Sequence, residues 1–172
     1  MKKFLSILFL MPILFAWEMP LHARGGVLED SILRISRKIA DKAKEAKNSK
    51  FAFTDFCETA TGKNINLGYA IEDELSIDLI REMPGRLAVR HDKKSTSNVP
   101  VSNIFTDLTG IKNYAKSVSA EYLIGGSYYY DKEYAVININ VIKAEDGIII
   151  FSERVKIRIA DLPKKLNPGN IA

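Results

Sequence analysis

The residue types that do chemistry are scarce in this chain of 172 residues. It contains one cysteine, Cys57, and two histidines, His22 and His91. A zinc site needs three or four Cys, His or carboxylate ligands, and a catalytic nucleophile needs a base beside it. His91 has neither a cysteine nor a second histidine near it in sequence. A lone histidine at the end of a predicted strand is more often structural or solvated than catalytic.

Two motifs resemble chemical sites without completing them. Thr61-Gly62-Lys63 matches the end of a phosphate-binding loop, but Cys57 stands where that motif has its first glycine. A predicted helix carries four carboxylates close together: Glu72, Asp73, Glu74 and Asp78. Calcium loops place their ligands at alternate positions of a flexible loop. We therefore interpret these carboxylates as a solvated helix face near the positive end of the helix dipole.

One carboxylate, Asp55, falls inside the apolar stretch Phe51–Cys57. A buried carboxylate must be hydrogen-bonded, and we interpret Asp55 as bonded to the loop that follows the stretch. No catalytic or ligating set is complete among these residues. We therefore predict that the protein is not an enzyme and that it holds no cofactor and no metal.

Tyrosines and cations near the end of the chain favour a binding role instead. Tyr128, Tyr129 and Tyr130 are consecutive, and tyrosine is enriched in protein interfaces. Successive side chains of a strand point to opposite faces, so Tyr129 lies on one face and its two neighbours on the other. At least one of the three is then ordinary core.

A basic row, defined as Arg154, Lys156 and Arg158, lies on the outward face of the last predicted strand. Edge strands attract partner strands, and lysine or arginine usually blunts that tendency. The same charges steer the approach of an acidic partner. We predict a partner interface made of the basic row, together with whichever of Tyr128 and Tyr130 is exposed. The alternative is that the charges only keep the sheet edge soluble.

The elements that position these residues follow from the spacing of apolar side chains. Within residues 24–50 a helical stripe recurs every three or four positions: Leu28, Ile32, Ile35, Ile39, Ala43 and Ala46. The opposite face is basic, and it either faces solvent or meets an anionic partner such as lipid headgroups. A second helix runs from about Leu67 to Met83, with an apolar face of Ile71, Leu75, Leu79, Ile77 and Ile80. A third, capped by Asp107 or Thr109, turns Ile111, Ala115 and Val118 to one side.

Strands are predicted at Phe51–Cys57, at "RLAVRH" and as a three-strand meander after Glu121. Asp146-Gly147 is the hairpin signal in that meander. After it, five residues are predicted to face inward: Ile149, Phe151, Val155, Ile157 and Ile159. The order α-β-α-β-α-β-β-β predicts an α+β fold, a mixed sheet of about five strands with helices packed on it. A strand-helix-strand start favours parallel pairing of the first strands.

The first residues of the sequence predict that the protein is exported. Lys2 and Lys3 precede the apolar run Phe4–Ala16, a pattern typical of a secretory signal. We place its end at Ala23, with Ala16 as the alternative and an uncleaved anchor left open. Residues 24–162 then form one domain, and residues 163–172 a flexible tail. No cysteine stands just after the apolar run, where a lipoprotein carries its acylated residue, so we expect no lipid anchor. The net charge of +4 is too small to indicate nucleic acid.

Several motifs together resemble the FlgO domain family of flagellar outer-membrane-associated proteins. They are "FAFTDF" (Phe51–Phe56), "NLGYAIEDELSIDLI" (Asn66–Ile80), "LAVRHDK" (Leu87–Lys93), "SAEYLIGGSYYY" (Ser119–Tyr130) and "VININVIKAEDGIIIFS" (Val136–Ser152). The resemblance runs from Val27 to about Ile159. The same core is similar to CsgG-like secretion proteins and to LpoB-type activators of peptidoglycan synthases, although the chain lacks the Pro/Gln-rich tether of the latter.

This resemblance implies a non-catalytic accessory protein of the bacterial flagellum, located in the periplasm or at the outer membrane. It would act through contacts with envelope or flagellar proteins, with a homo-oligomer and peripheral membrane association left open. The alternatives are an LpoB-like activator of a peptidoglycan synthase and a CsgG-like secretion or assembly factor. The resemblance implies no catalytic residues.

Overall fold

Three α-helices and four β-strands form the part of the chain that the computed structural model describes, residues 26–88 and 107–168. In chain order they are α1 (Val27–Ala43), β1 (Phe51–Glu58), α2 (Asn66–Glu82), α3 (Leu108–Ser117), β2 (Tyr122–Tyr130), β3 (Tyr134–Lys143) and β4 (Ile149–Arg158). Two 3-10 turns follow, Ile159–Asp161 and Lys164–Leu166. The predicted α+β class is confirmed. The predicted signal, residues 1–23, and His91 lie outside the described residues.

The strands form one mixed sheet in the order β1-β2-β3-β4. β1 runs parallel to β2, and β2, β3 and β4 form the predicted antiparallel meander. The strand predicted at residues 86–91 is reduced, within the described part, to one parallel bridge between Leu87 and Phe51. Only two backbone hydrogen bonds support it, Phe51 N–H to Arg86 O at 2.8 Å and Ala88 N–H to Phe51 O at 2.7 Å. The predicted number of five strands is therefore wrong for the described residues.

One face of the sheet, here called the inner face, packs against α1 and α2. The predicted stripe of α1 is buried, with each of these side chains at most 1% exposed: Leu28, Ile32, Ile35, Ile39 and Ala43. From α2, Ile71, Leu75 and Leu79 join the same core. The sheet contributes Ile124, Tyr128, Ile137, Ile139 and Ile157. Each such aliphatic side chain contributes about 1.5–3 kcal/mol on full burial, so this core is a main source of stability.

The opposite face, here called the outer face, is covered by α3 at one end. Ile111 and Ala115 of that helix pack in a small cluster with Ala52, Leu123, Ile142 and Ala144. The helix begins as predicted, because the Asp107 carboxylate accepts hydrogen bonds from the N–H groups of Thr109 and Gly110, both at 3.0 Å. Further along the outer face the side chains are largely polar.

The second helix departs from its prediction on both flanks. Ile77 and Ile80 are 42% and 59% exposed, whereas Glu72 and Asp78 are each 1% exposed. The carboxylates were predicted to be solvated, which is wrong for these two. The reason for Glu72 lies in β1, where the pairing register shifts between Phe53 and Phe56. At that bulge the Phe56 N–H donates to Glu72 Oε1 at 3.2 Å, which gives the buried carboxylate a hydrogen-bond partner.

Two further predictions differ from the structure near the end of the chain. Ile149 was predicted to face inward but is 54% exposed, because the pairing register shifts by a residue between Val141 and Ile142. The tail predicted to be flexible from residue 163 contains the 3-10 turn Lys164–Leu166, which packs on the fold through Leu166. Leu166 is 4% exposed, and its carbonyl oxygen accepts a hydrogen bond from the Tyr130 hydroxyl at 3.2 Å.

Candidate docking surface

Strand register brings two rows of side chains into line on the outer face. Tyr129 pairs with Val136, and Val136 pairs with Lys156. One step along, Ser127 pairs with Asn138, and Asn138 pairs with Arg154. Tyr129 is 37% exposed, and all three side chains of the basic row are exposed. We define the docking surface as Ser127, Tyr129, Asn138 and the basic row.

Hydrogen bonds orient part of this surface. The Asn138 side chain accepts from Arg154 Nε at 2.7 Å through its oxygen and donates to Ser127 Oγ at 3.4 Å through its nitrogen. These three hydrogen-bonded residues lie on three different strands, so the sheet itself positions the guanidinium of Arg154. Arg154 is exposed, and its terminal Nη donors have no hydrogen-bond partner among the described residues. Paired N–H groups of this kind suit a carboxylate.

The basic row differs from the cations of α1 in its pairing. The ion pairs among the described residues include none of its three side chains. On α1 and at its C-cap, four cations are paired with carboxylates: Arg37 with Glu82, Lys38 with Glu153, Lys42 with Glu45 and Lys44 with Asp41. The one acidic residue of β4, Glu153, has its side chain on the inner face, where it pairs with Lys38 of α1. Local positive charge is consequently concentrated on the outer side of β4.

The structure separates Tyr128 and Tyr130 from the basic row. Tyr128 is 0% exposed in the inner-face core, and burial holds the pKa of its hydroxyl well above the ordinary value. Tyr130 is half-buried on the same face and meets the Tyr128 ring edge-on at 5.9 Å. Tyr128 therefore cannot reach a partner on the docking surface. Tyr129 is the tyrosine that shares the face of the basic row, and the alternation of strand residues together with the hairpin lengths was the signal that could have shown this.

The residues singled out for chemistry form a structural cluster instead. The Asn64 side-chain nitrogen donates to Glu72 Oε1 at 2.8 Å and to Asp55 Oδ1 at 3.3 Å. Asp55 is thus bonded to the loop that follows β1, as predicted. Cys57 lies nearby and is 7% exposed, and burial raises the pKa of its thiol to about 11. No group of three His, Cys, Asp or Glu side chains within residues 26–88 and 107–168 could hold a metal ion.

A shallow groove of about 350 Å³ lies between the end of α3 and the β2–β3 strands. Three lysines line it: Lys112, Lys116 and Lys143. Lys143 bonds Glu145 at 2.8 Å and Asp146 at 3.3 Å, and the hydrogen bond with Glu145 is the first cause of its raised pKa. Glu121 and Glu145 also line the groove, so its charge is largely compensated. It is a weaker candidate than the docking surface.

None of the helices in the described ranges has both the length and the apolar character needed to cross a membrane. The docking surface contains an exposed tyrosine and two arginines, which are residue types enriched in protein interfaces. Its lysine, Lys156, forms no ion pair with any described residue.

The fold as a whole is similar to that of LpoB C-terminal domains. Among solved structures, the LpoB C-terminal domain from Salmonella enterica matches with a TM-score of 0.55 and 13% sequence identity, over 77% of this chain and 98% of that chain. The domain from Escherichia coli matches with a TM-score of 0.49 and 13% identity, over 76% and 98% of the two chains. At this identity the similarity shows the fold alone.

An NMR structure of Escherichia coli LpoB also matches, with a TM-score of 0.46 and 16% identity over 64% of this chain and 56% of that chain. No family model matches the sequence, and no curated protein matches it. The resemblance to an LpoB-like domain is therefore confirmed at the level of fold. The resemblances to FlgO and CsgG-like proteins find no counterpart in these comparisons.

Proposed function

We propose that this protein is an exported, non-catalytic accessory protein of the cell envelope, which acts by binding another protein through its docking surface. Its location is the periplasm or the periplasmic side of the outer membrane. The observation that carries the proposal is the exposed basic row, which has no ion pair among the described residues and shares its sheet face with Tyr129. The hydrogen bonds from Arg154 through Asn138 to Ser127 support it, because they orient the guanidinium on that face.

Of the specific roles, activation of a peptidoglycan synthase is the one that the fold favours. The LpoB-like fold extends over nearly the whole of the matched Salmonella enterica domain. The flagellar role implied by the FlgO resemblance becomes the second candidate, because only sequence motifs support it. The secretion role implied by the CsgG resemblance has the same basis.

The test is an activity assay with the purified bifunctional peptidoglycan synthase from the same organism. Its rate is measured with and without the chain that starts at Arg24. The variant Arg154→Glu/Lys156→Glu/Arg158→Glu should lose any activation, because it reverses the charge of the docking surface without entering the core. Activation by the unaltered protein, lost in this variant, is the expected result.

A matched control keeps the same charge change on other surfaces. Arg34, Lys47 and Lys112 are exposed, and their triple change to glutamate should leave activation intact. No activation by the unaltered protein, together with loss of motility on deletion of its gene, would replace the synthase role with the flagellar one. Equal effects of both triple variants would show that only net charge matters and would remove the docking surface from the proposal.

Export is tested separately. The protein is recovered from the envelope fraction and its N-terminus sequenced. Cleavage after Ala23 places Arg24 first, whereas cleavage at the alternative site places Trp17 first. Recovery from the cytoplasm with Met1 retained would contradict the proposed location.

A further inference from the structure

The outer edge of β4 is long and regular. The strand has 10 residues, and among the described strands it pairs only with β3. Natural sheet edges are protected by shortness, by covering, by proline or a bulge, or by charged side chains, and over Ser152–Arg158 the charges of the basic row are the one such device that β4 itself carries. From Ser152 to Arg158 this edge contains neither proline nor glycine, and its pairing with β3 is free of register shifts. It is therefore a surface on which a further strand can pair.

The hydrogen-bond pattern shows which backbone groups are available there. Just beyond β4, the Ile159 N–H donates to Glu133 O at 2.8 Å, in register with the β3–β4 ladder. Antiparallel pairs alternate between bonded and non-bonded residues. Val155 and Ile157 consequently bond to β3, while the N–H and C=O groups of Arg154, Lys156 and Arg158 point to the open edge. The residues of the basic row thus offer both their charges and their backbone groups to one partner.

Charge argues against a second copy of this chain at the edge. Antiparallel pairing of two β4 strands about Lys156 would place Arg154 of each copy opposite Arg158 of the other. Like charges directly opposite each other destabilise a strand pair. An acidic strand would instead be stabilised at this edge, because each of its carboxylates would lie opposite a cation of the basic row.

We propose that an extended, acidic segment of a partner protein adds to the β4 edge as a further strand, with Asp or Glu at every second position. The inference rests on the proposed function only in taking the docking surface as the binding site, and it specifies the mode of binding. A period of two is required because the basic row lies on one face of the sheet. Main-chain hydrogen bonds supply affinity in this mode, and alternate side chains supply specificity.

The test uses a capped, fluorescently labelled peptide of alternating glutamate and threonine as the probe. Its binding to the chain that starts at Arg24 is measured by fluorescence anisotropy at low salt. A control peptide has the same composition with its glutamates in one block. The alternating peptide should bind about tenfold more tightly than the block peptide, since only it places every charge opposite the basic row.

Two N-methylated probes separate strand pairing from charge attraction. One carries methyl groups on the glutamate nitrogens and the other on the threonine nitrogens. Because alternate N–H groups of an added strand point to β4 and away from it, one methylated probe should lose binding and the other keep it. Equal binding by the two methylated probes, at any strength, would overturn the proposed strand addition.

Protein variants give an independent readout. Lys156→Gln removes the charge alone, whereas Lys156→Pro also removes an outward N–H that β3 does not use. The proline variant should bind the alternating probe at least about tenfold more weakly than the glutamine variant. If the proline variant fails to fold, the two methylated probes still decide. Probe binding that depends on Arg154 but not on N-methylation would overturn strand addition while leaving the proposed function in place.

Discussion

Tyr129 and Lys156 lie on the same sheet face, two strands apart, because Val136 pairs with both. This relationship places the exposed ring of Tyr129 on the same sheet face as the basic row, across the sheet from Lys156. It also explains why neighbouring Tyr128, with its side chain on the opposite face, belongs to the core instead. Two adjacent tyrosines therefore have different roles, which substitution can separate.

Substitution of the two tyrosines by alanine should give opposite phenotypes. Tyr128→Ala removes a fully buried ring and should lower the free energy of unfolding by about 3–5 kcal/mol, in the range measured for buried aromatics. Tyr129→Ala should change it by less than about 1 kcal/mol while weakening partner binding. Urea denaturation measures the first effect, and the synthase assay measures the second. A large loss of stability from Tyr129→Ala would show that this ring is structural.

The helix stripes predict a second contrast. Ile39 and Leu75 are at most 1% exposed, and each change to alanine should lower the free energy of unfolding by about 2–5 kcal/mol. Ile80 is 59% exposed and serves as the matched control, with a change of less than about 0.5 kcal/mol expected for Ile80→Ala. Chemical denaturation of the three variants is sufficient. Equal losses would mean that α2 packs through a different face.

The difference between these two helices shows what local periodicity can predict. In α1 the apolar residues occupy one stripe and the remaining face is charged, so the buried face follows from spacing alone. In α2, at about 100° per residue, Ile77 and Ile80 lie more than about 130° around the helix from Leu75, whereas Glu72 and Asp78 lie about 60° to either side of it. Spacing therefore places these two carboxylates beside the buried line, but it does not show that the bulge in β1 supplies the N–H group that Glu72 accepts from. That bulge is a tertiary feature without a local signal.

The docking surface was predictable in part for the same reason. The outward direction of the basic row followed from strand alternation, because β4 has a regular pattern. Which tyrosine accompanies it depends on the register of two hairpins, and a one-residue error moves every side chain to the other face. The chain of bonds from Arg154 through Asn138 to Ser127 likewise depends on three strands being in register.

The buried carboxylate of Glu72 gives a third prediction. Glu72→Ala would leave the Phe56 N–H at the bulge without its acceptor, which should cost about 1–3 kcal/mol of unfolding free energy. Asp73→Ala, on the exposed side of the same helix, should stay within about 0.5 kcal/mol of the unaltered protein. Thermal and urea unfolding of the pair provide the measurement. If Glu72→Ala is as stable as Asp73→Ala, the hydrogen bond to the bulge does not contribute.

Cys57 makes the stability of the protein sensitive to alkali. Burial, with a further contribution from the Asp55 and Glu72 carboxylates, raises the pKa of its thiol from 9.0 to about 11. In the unfolded chain the thiol ionises near its ordinary value, so between pH 9 and 11 the unfolded state binds fewer protons than the folded state. Linkage then requires the free energy of unfolding to fall as the pH rises through this window, while the contribution is fully present below it.

Two measurements on Cys57 check this prediction. Between pH 8 and pH 10 the free energy of unfolding of Cys57→Ala, measured by urea denaturation, should fall less than that of the unaltered protein, because the variant has no thiol to ionise. Tyr128 and Tyr130 titrate in both proteins, so their effects cancel in the comparison. At pH 8 the thiolate fraction of folded Cys57 should be about a hundredfold lower than in the unfolded chain. Alkylation by iodoacetamide should be slower by at least that factor in the folded protein, since burial also limits access. Equal alkylation rates with and without urea would show that the thiol is open to solvent and that β1 is not covered on that face.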